Sequence, residues 1–78
     1  MATKAYVLVE TTVGKNREVI AGLNQLKEVT RVDLVTGPFD LIAVIEAVSL
    51  AEVGEVLTGR IHPIPGITRT VTCLVIDT

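Results

Sequence analysis

The sequence predicts an α+β domain in the order β-α-β-β-α-β, with its four strands in one antiparallel sheet and two helices on one face. Three observations carry this prediction. Four segments of strand length are rich in β-branched and aliphatic residues, two segments between them space their apolar residues at helical intervals, and glycine or proline marks several junctions. Two strands, Leu41 to Ile45 and Val71 to Ile76, are apolar almost without interruption, so hydrocarbon falls on both faces of the sheet. Helices on one side cover only one of those faces. The other is expected to be buried against a second copy of the chain, so that the protein dimerises through its sheets.

The first strand, Lys4 to Glu10, puts Ala5, Val7 and Val9 on one side and Tyr6 and Leu8 on the other, and Gly14 follows as a break. From Lys15 to Leu26, Val19, Ile20, Leu23 and Leu26 form an apolar stripe, while Lys15, Arg17, Glu18, Asn24 and Gln25 are free to face water. This is an amphipathic helix that needs a sheet to lie on. Val29 to Thr36 has the β-branched character of a second, less buried strand, with Val32 and Leu34 among polar neighbours Arg31 and Asp33. Gly37-Pro38-Phe39-Asp40 supplies a turn: glycine permits positive φ, proline fixes φ, and aspartate can bond its own backbone. The third strand, Leu41 to Ala47, starts at once, so the second and third strands form an antiparallel hairpin.

Ser49 and Glu52 have capping-box spacing, in which the serine hydroxyl accepts from the amide of Glu52 and the glutamate reaches back to the amide of Ser49. A second helix starts there, with Leu50, Val53, Val56, Leu57 and Ile61 as its apolar stripe; Gly54 and Gly59 each weaken it by about 1 kcal/mol relative to alanine. Pro63, Pro65 and Gly66 stop it, and Ile67 to Ile76 is the last strand. The order is the ferredoxin-like split βαβ arrangement. No linker, low-complexity stretch or charge run divides the chain, so residues 1–78 are expected to form one domain.

Composition removes several functional classes. The hydrophobic fraction is 49% and the mean hydropathy +0.56, yet charged residues interrupt every run before the roughly 18 apolar residues that a membrane span needs. The net charge is −2, the seven basic residues are dispersed, and Tyr6 and Phe39 are the only aromatics. Neither a phosphate-tracking patch nor a base-stacking platform can be assembled from these, so direct nucleic-acid binding is not expected. Met1-Ala2-Thr3-Lys4 leads straight into a strand with no secretory core, and the lone Cys73 cannot form an internal disulfide. A cytoplasmic location follows as the expectation.

Few residues suggest chemistry. His62 is the only imidazole, has no Cys, second His or spaced carboxylates with which to build a metal site, and reads as structural or solvated. Cys73 lies in an apolar strand and reads as a small hydrophobe. Thr68, Thr70 and Thr72 alternate along the last strand, so their hydroxyls are expected on one sheet face, with Arg69, Val71 and Cys73 on the other. They are either ordinary strand formers or a row of donors and acceptors in an oily interface. Asp40 either closes the hairpin or contributes to a cradle for a zwitterion. In the cradle, the amides of Gly37, Phe39 and Asp40 take a carboxylate, and Asp40 with threonine hydroxyls takes an ammonium group. No catalytic residue, metal or cofactor is expected.

Val35-Thr36-Gly37-Pro38-Phe39-Asp40-Leu41-Ile42, followed by Pro65-Gly66-Ile67-Thr68-Arg69-Thr70-Val71-Thr72, resembles the effector-binding module of the Lrp/AsnC regulators, also called the RAM domain. The resemblance covers essentially the whole chain. It implies dimers formed through the sheets, a higher assembly of dimers, and an amino acid or related small-molecule effector bound between them. By motif position it carries effector contact onto Gly37, Phe39, Asp40, Thr70 and Thr72. One departure stands out: full-length members place a helix-turn-helix reader before this module, and here the first strand begins within a few residues. The chain therefore resembles the stand-alone RAM proteins, with a full-length Lrp/AsnC regulator as a partner through which transcription could be reached. Two other readings are a ligand-independent modulator that co-assembles with such regulators, and a small ferredoxin-like dimeric enzyme. Fold analogy is the enzyme's only support.

Overall fold

Strand pairing sets the architecture. The computed structural model describes residues 3–76, which run β1 (Thr3–Thr11), α1 (Asn16–Asn24), β2 (Val29–Leu34), β3 (Leu41–Ala47), α2 (Leu50–Val56), a π turn (Leu57–Ile61) and β4 (Ile67–Leu74). The sheet order is β2-β3-β1-β4 with every pair antiparallel. This is the expected ferredoxin-like fold.

The register shows why the two central strands hold the core. Ala5, Val7 and Val9 of β1 face Ile45, Ala43 and Leu41 of β3, and all six are fully buried on the helix side. Val19 and Leu23 of α1, Val56 of α2 and Ile61 of the π turn close over them, with Ile20, Leu26 and Ile67 packed at the margin. The other side is not covered. Tyr6, Leu8, Ile42, Val44, Val71 and Cys73 lie on it by alternation; Tyr6 and Val71 are 40% and 41% exposed, whereas Val44, flanked by Tyr6 and Arg31, is already buried. The predicted second oily face is therefore present.

The second helix departs from a simple stripe. Val53, Val56 and Ile61 are buried, but Leu50 is 60% exposed. In a regular helix Val56 and Ile61, five residues apart, would point about 140° away from each other. The π turn, closed by the amide of His62 donating to the carbonyl of Leu57 at 2.8 Å, widens the coil and turns both toward the core. The cap also differs from expectation. Glu52 donates its amide to Ser49 Oγ at 3.2 Å, but its carboxylate accepts from the amide of Val48 at 2.9 Å rather than that of Ser49. Val48 lies one residue beyond the last β1–β3 pair among the described residues.

Strand ends and one bulge complete the corrections. β2 stops at Leu34 and β4 at Leu74, short of the expected Thr36 and Ile76, and α1 occupies 16–24 rather than 15–26. Between Glu10 and Thr11 the β1–β4 register shifts, so that Glu10 faces Arg69 but Thr11 faces Ile67. Thr68 is the extra residue of this bulge. Ile67 takes the core-side position that unbroken alternation would give Thr68, and the Thr68 hydroxyl instead donates to Glu10 Oε1 at 2.8 Å. The three threonines do not form one row.

Two further contacts fix the helix layer. Gly66, at φ +100°, lets the turn after the π segment press onto α1; a Cβ there would lie 3.0 Å from both Lys15 Cβ and Val19 Cγ2. Glu28, only 4% exposed, accepts from Arg60 Nη1 at 3.1 Å through Oε1, while Oε2 has no partner among the described residues. Nothing in the local sequence distinguishes Glu28 from an ordinary surface glutamate, because its burial depends on the π turn bringing Arg60 across the chain.

Candidate functional site

The turn between β2 and β3 is built around Gly37 and Asp40. Gly37 adopts φ +132°, and a Cβ there would meet nothing within 4 Å, so the demand for glycine is conformational. Asp40 is tied to β1 and to the end of β2: its amide donates to the carbonyl of Val9 at 2.9 Å and its carbonyl accepts from Val35 at 2.9 Å. Its Oδ2 accepts from the amide of Thr11 at 2.8 Å and from the Thr11 hydroxyl at 3.3 Å. The Asp40 amide is thus already spent within the fold. Phe39 extends toward β4, where the guanidinium of Arg69 lies 4.9 Å from its ring centroid.

Thr70 and Thr72 face Val9 and Val7 across the β1–β4 ladder and are half-buried on the helix side. Thr70 Oγ1 lies 3.1 Å from Nε2 of His62, which the end of the π turn brings over the start of β4. His62 is itself exposed, as the solvated reading anticipated. Around this pair is an open depression of about 230 Å³, lined by His62, Ile67, Thr68, Arg69 and Thr70. A second depression, of about 370 Å³, lies between α1 and the 64–66 turn and has none of the expected effector residues on its wall.

The five effector positions therefore fall into two groups. Gly37, Phe39 and Asp40 share the β2–β3 turn, Thr70 and Thr72 share the helix side of β4, and only Thr70 lines the depression. Arg69 adjoins Thr70 along β4 but pairs with Glu10 on the opposite face of the sheet, and its guanidinium stacks on Phe39. Sequence reasoning singled out neither Arg69 nor the His62–Thr70 pair. The signal available for Arg69 was its place between Thr68 and Thr70. No local signal existed for His62, whose position depends on the π turn.

Among the described residues, no three His, Cys, Asp or Glu gather as a metal site, and no helix is long and apolar enough to cross a membrane. What the arrangement offers is recognition chemistry: hydroxyls, an imidazole, a guanidinium and a carboxylate near a partly apolar surface.

Comparison with known proteins sets this geometry in context. FFRP-DM1, known from a crystal structure, is 34% identical, with a TM-score of 0.91 over 95% of this chain and 99% of its own. The hypothetical protein PHS023 from Pyrococcus horikoshii is 33% identical, with a TM-score of 0.90 over 100% of this chain and 93% of its own. The transcriptional regulator NMB0573 from Neisseria meningitidis, solved as a complex with L-Met, shares the fold at 14% identity and a TM-score of 0.88; the match takes in 96% of this chain and half of that one. No curated protein matches the chain. The family model for the Lrp/AsnC ligand-binding domain matches residues 4–78, and by that match, on the fold described above, the chain belongs to the Lrp/AsnC ligand-binding domain family.

Proposed function

We propose that this protein is a cytoplasmic, non-catalytic sensing module that binds an amino acid at a site completed between copies of the chain. One observation carries the reading. The candidate contact residues are split between the β2–β3 turn and β4, and neither group encloses a pocket, while the sheet face bearing Tyr6, Leu8, Ile42, Val71 and Cys73 is apolar and uncovered. Stacking that face on a second copy removes apolar surface from water at about 25 cal/mol per Å². Assembly of such dimers then supplies a second wall for Gly37, Phe39, Asp40, Thr70 and Thr72. L-Met in the Neisseria regulator, which shares the fold, supports an amino acid as the class of effector.

The effector acts by favouring the assembly that binds it more tightly, with a full-length Lrp/AsnC regulator as the proposed recipient of the signal. Residues 1–78 are read as one domain. The test combines light scattering with thermal melting against the twenty proteinogenic amino acids at millimolar concentration. A ligand at a hundred times its dissociation constant adds about 2.7 kcal/mol to the bound state. A domain of this size would then melt roughly 10 to 20 °C higher. Unchanged melting and unchanged mass across the full panel would remove amino-acid sensing.

One observation favours a second reading. The amide and Oδ2 of Asp40 are engaged with β1, which accounts for that residue without any ligand. On this reading the protein is an assembly module that joins full-length relatives unaided. Recovery of such a relative from extract, equally with and without added amino acids, would select it.

A further inference from the structure

We infer that Val13 and the depression between α1 and the 64–66 turn form a second contact between copies of this chain, in which Val13 of each copy enters the depression of the other about a two-fold axis. The inference rests on the sheet-stacked dimer proposed above and names the surface that joins such dimers.

Three observations lead there. The first is Val13 itself, which is 97% exposed at the tip of a turn held at both ends. The amide of Lys15 donates to the carbonyl of Thr12 at 3.0 Å, Gly14 supplies φ +82°, and the amide of Thr12 donates to the carbonyl of Gly66 at 2.8 Å. Such a turn asks for glycine at its third position and for nothing apolar at its second, so its own folding does not account for the valine. The side chain projects from a fixed backbone, and little ordering is left to oppose association.

The second observation is the place of the depression. The bond to Gly66 sets Val13 beside it, because Gly66 and Lys15 belong to its wall. Its volume is about 370 Å³, and Gly22, Ile64, Pro65 and Gly66 supply its uncharged lining. Gly22 lets Ile64 settle against α1, since a Cβ there would lie 3.2 Å from Ile64 Cγ2. An isopropyl group fits this hollow. An apolar knob next to an apolar hollow is what a two-fold contact needs, because one patch must serve both copies.

Charge is the third observation, and it selects a second copy as the occupant. Among the described residues, Lys15 and Glu18 alone bring charge to the wall, and they pair at 3.3 Å with both side chains more than half exposed. Such a pair contributes little within one chain in water. A two-fold rotation sets Lys15 of one copy against Glu18 of the other, so a rim that is neutral in one chain is complementary between two. α1 packs on the side of the sheet opposite the open face, so the two contacts do not compete, and a closed ring that alternates them holds an even number of chains. One such contact is small and leaves lone chains apart; a dimer carries two, and closing the ring makes the last one intramolecular.

Sedimentation of the parent and of three variants of the whole chain tests this. The parent is expected to exceed the mass of two chains. Val13→Asp is expected to fall to two, with unchanged circular dichroism and Cys73 still protected from a thiol reagent. Lys15→Glu and Glu18→Lys each surround the depression with like charges and should each stop at two chains when alone. Mixed in equal amounts they should regain the parent's mass, a rescue that pairing within one chain does not explain, since neither chain recovers its own pair. Val13→Asp at the parent's mass, or a mixture that stays at two chains, would overturn the inference and leave the stacked sheets intact. A parent of two chains that Val13→Asp splits into single chains would uphold the depression as a contact and remove the stacked sheets. Single chains for the parent at every concentration would end both.

Discussion

Asp40 Oδ2 accepts the backbone N–H of Thr11 at 2.8 Å, which fastens the β2–β3 turn to the end of β1 where the strand runs out of regular partners. The sequence admitted two roles for Asp40, closing a hairpin or holding a ligand, and this bond gives the two different consequences. Asp40→Ala leaves the Thr11 amide without its acceptor in a half-buried setting, an expected cost of about 1–3 kcal/mol. Asp40→Asn keeps a neutral acceptor and is expected to cost less. Urea denaturation of the two variants measures this directly. A stability equal to that of the parent for Asp40→Ala would assign the carboxylate to ligand contact alone.

Much of the fold was legible because burial is encoded by period. Val7 and Val9, and Val19 and Leu23, are fully buried where alternation and helical spacing put them. What period does not record is irregularity inside an element. A bulge at Thr68 and a π turn at Leu57–Ile61 each insert a fraction of a period, and the side chains beyond them rotate away from the positions a regular element predicts. Both irregularities flank the β4 depression. The Phe39–Arg69 contact was hidden for a different reason, since the two residues are thirty positions apart and meet across the sheet, which no local pattern records.

Two glycines should respond with opposite sign to the same substitution. Gly66→Ala places a Cβ 3.0 Å from Lys15 Cβ and Val19 Cγ2, at a φ of +100°. The left-handed backbone alone costs about 1–2 kcal/mol, and the overlap with α1 adds to it. Gly54 lies inside α2 with nothing within 4 Å of its added Cβ, so Gly54→Ala is expected to stabilise by up to about 1 kcal/mol. Thermal melting of the two variants, at a protein concentration that holds the assembly constant, reads the difference.

Glu28 and Arg60 give a third contrast. Arg60→Met strands a carboxylate that is 4% exposed and already has one unpartnered oxygen. Breaking a buried pair can cost 3–5 kcal/mol; because Arg60 is itself nearly half exposed and water can reach its place, about 2 kcal/mol is expected. Replacing both residues by methionine removes the stranded charge and should recover most of that loss. A double variant no more stable than Arg60→Met would mean that the pair contributes through the shape of the π turn rather than through charge.

The open sheet face makes the last prediction. Cys73 is exposed and lies beside Tyr6 on that face, with Val71, 41% exposed, two residues away on the same strand. If copies stack there, the thiol becomes inaccessible in the assembled protein, and its reaction with a thiol reagent should slow as concentration rises. Val71→Lys puts a charge where hydrocarbon must desolvate, yet in a single chain the side chain can still reach water, so folding should survive while association fails. Light scattering of this variant is expected to give the mass of one chain with unchanged circular dichroism, and Cys73 should then react at one rate at every concentration. A Val71→Lys protein that still assembles and still protects its thiol would put the interface on another surface, and the shared effector site would have to move with it.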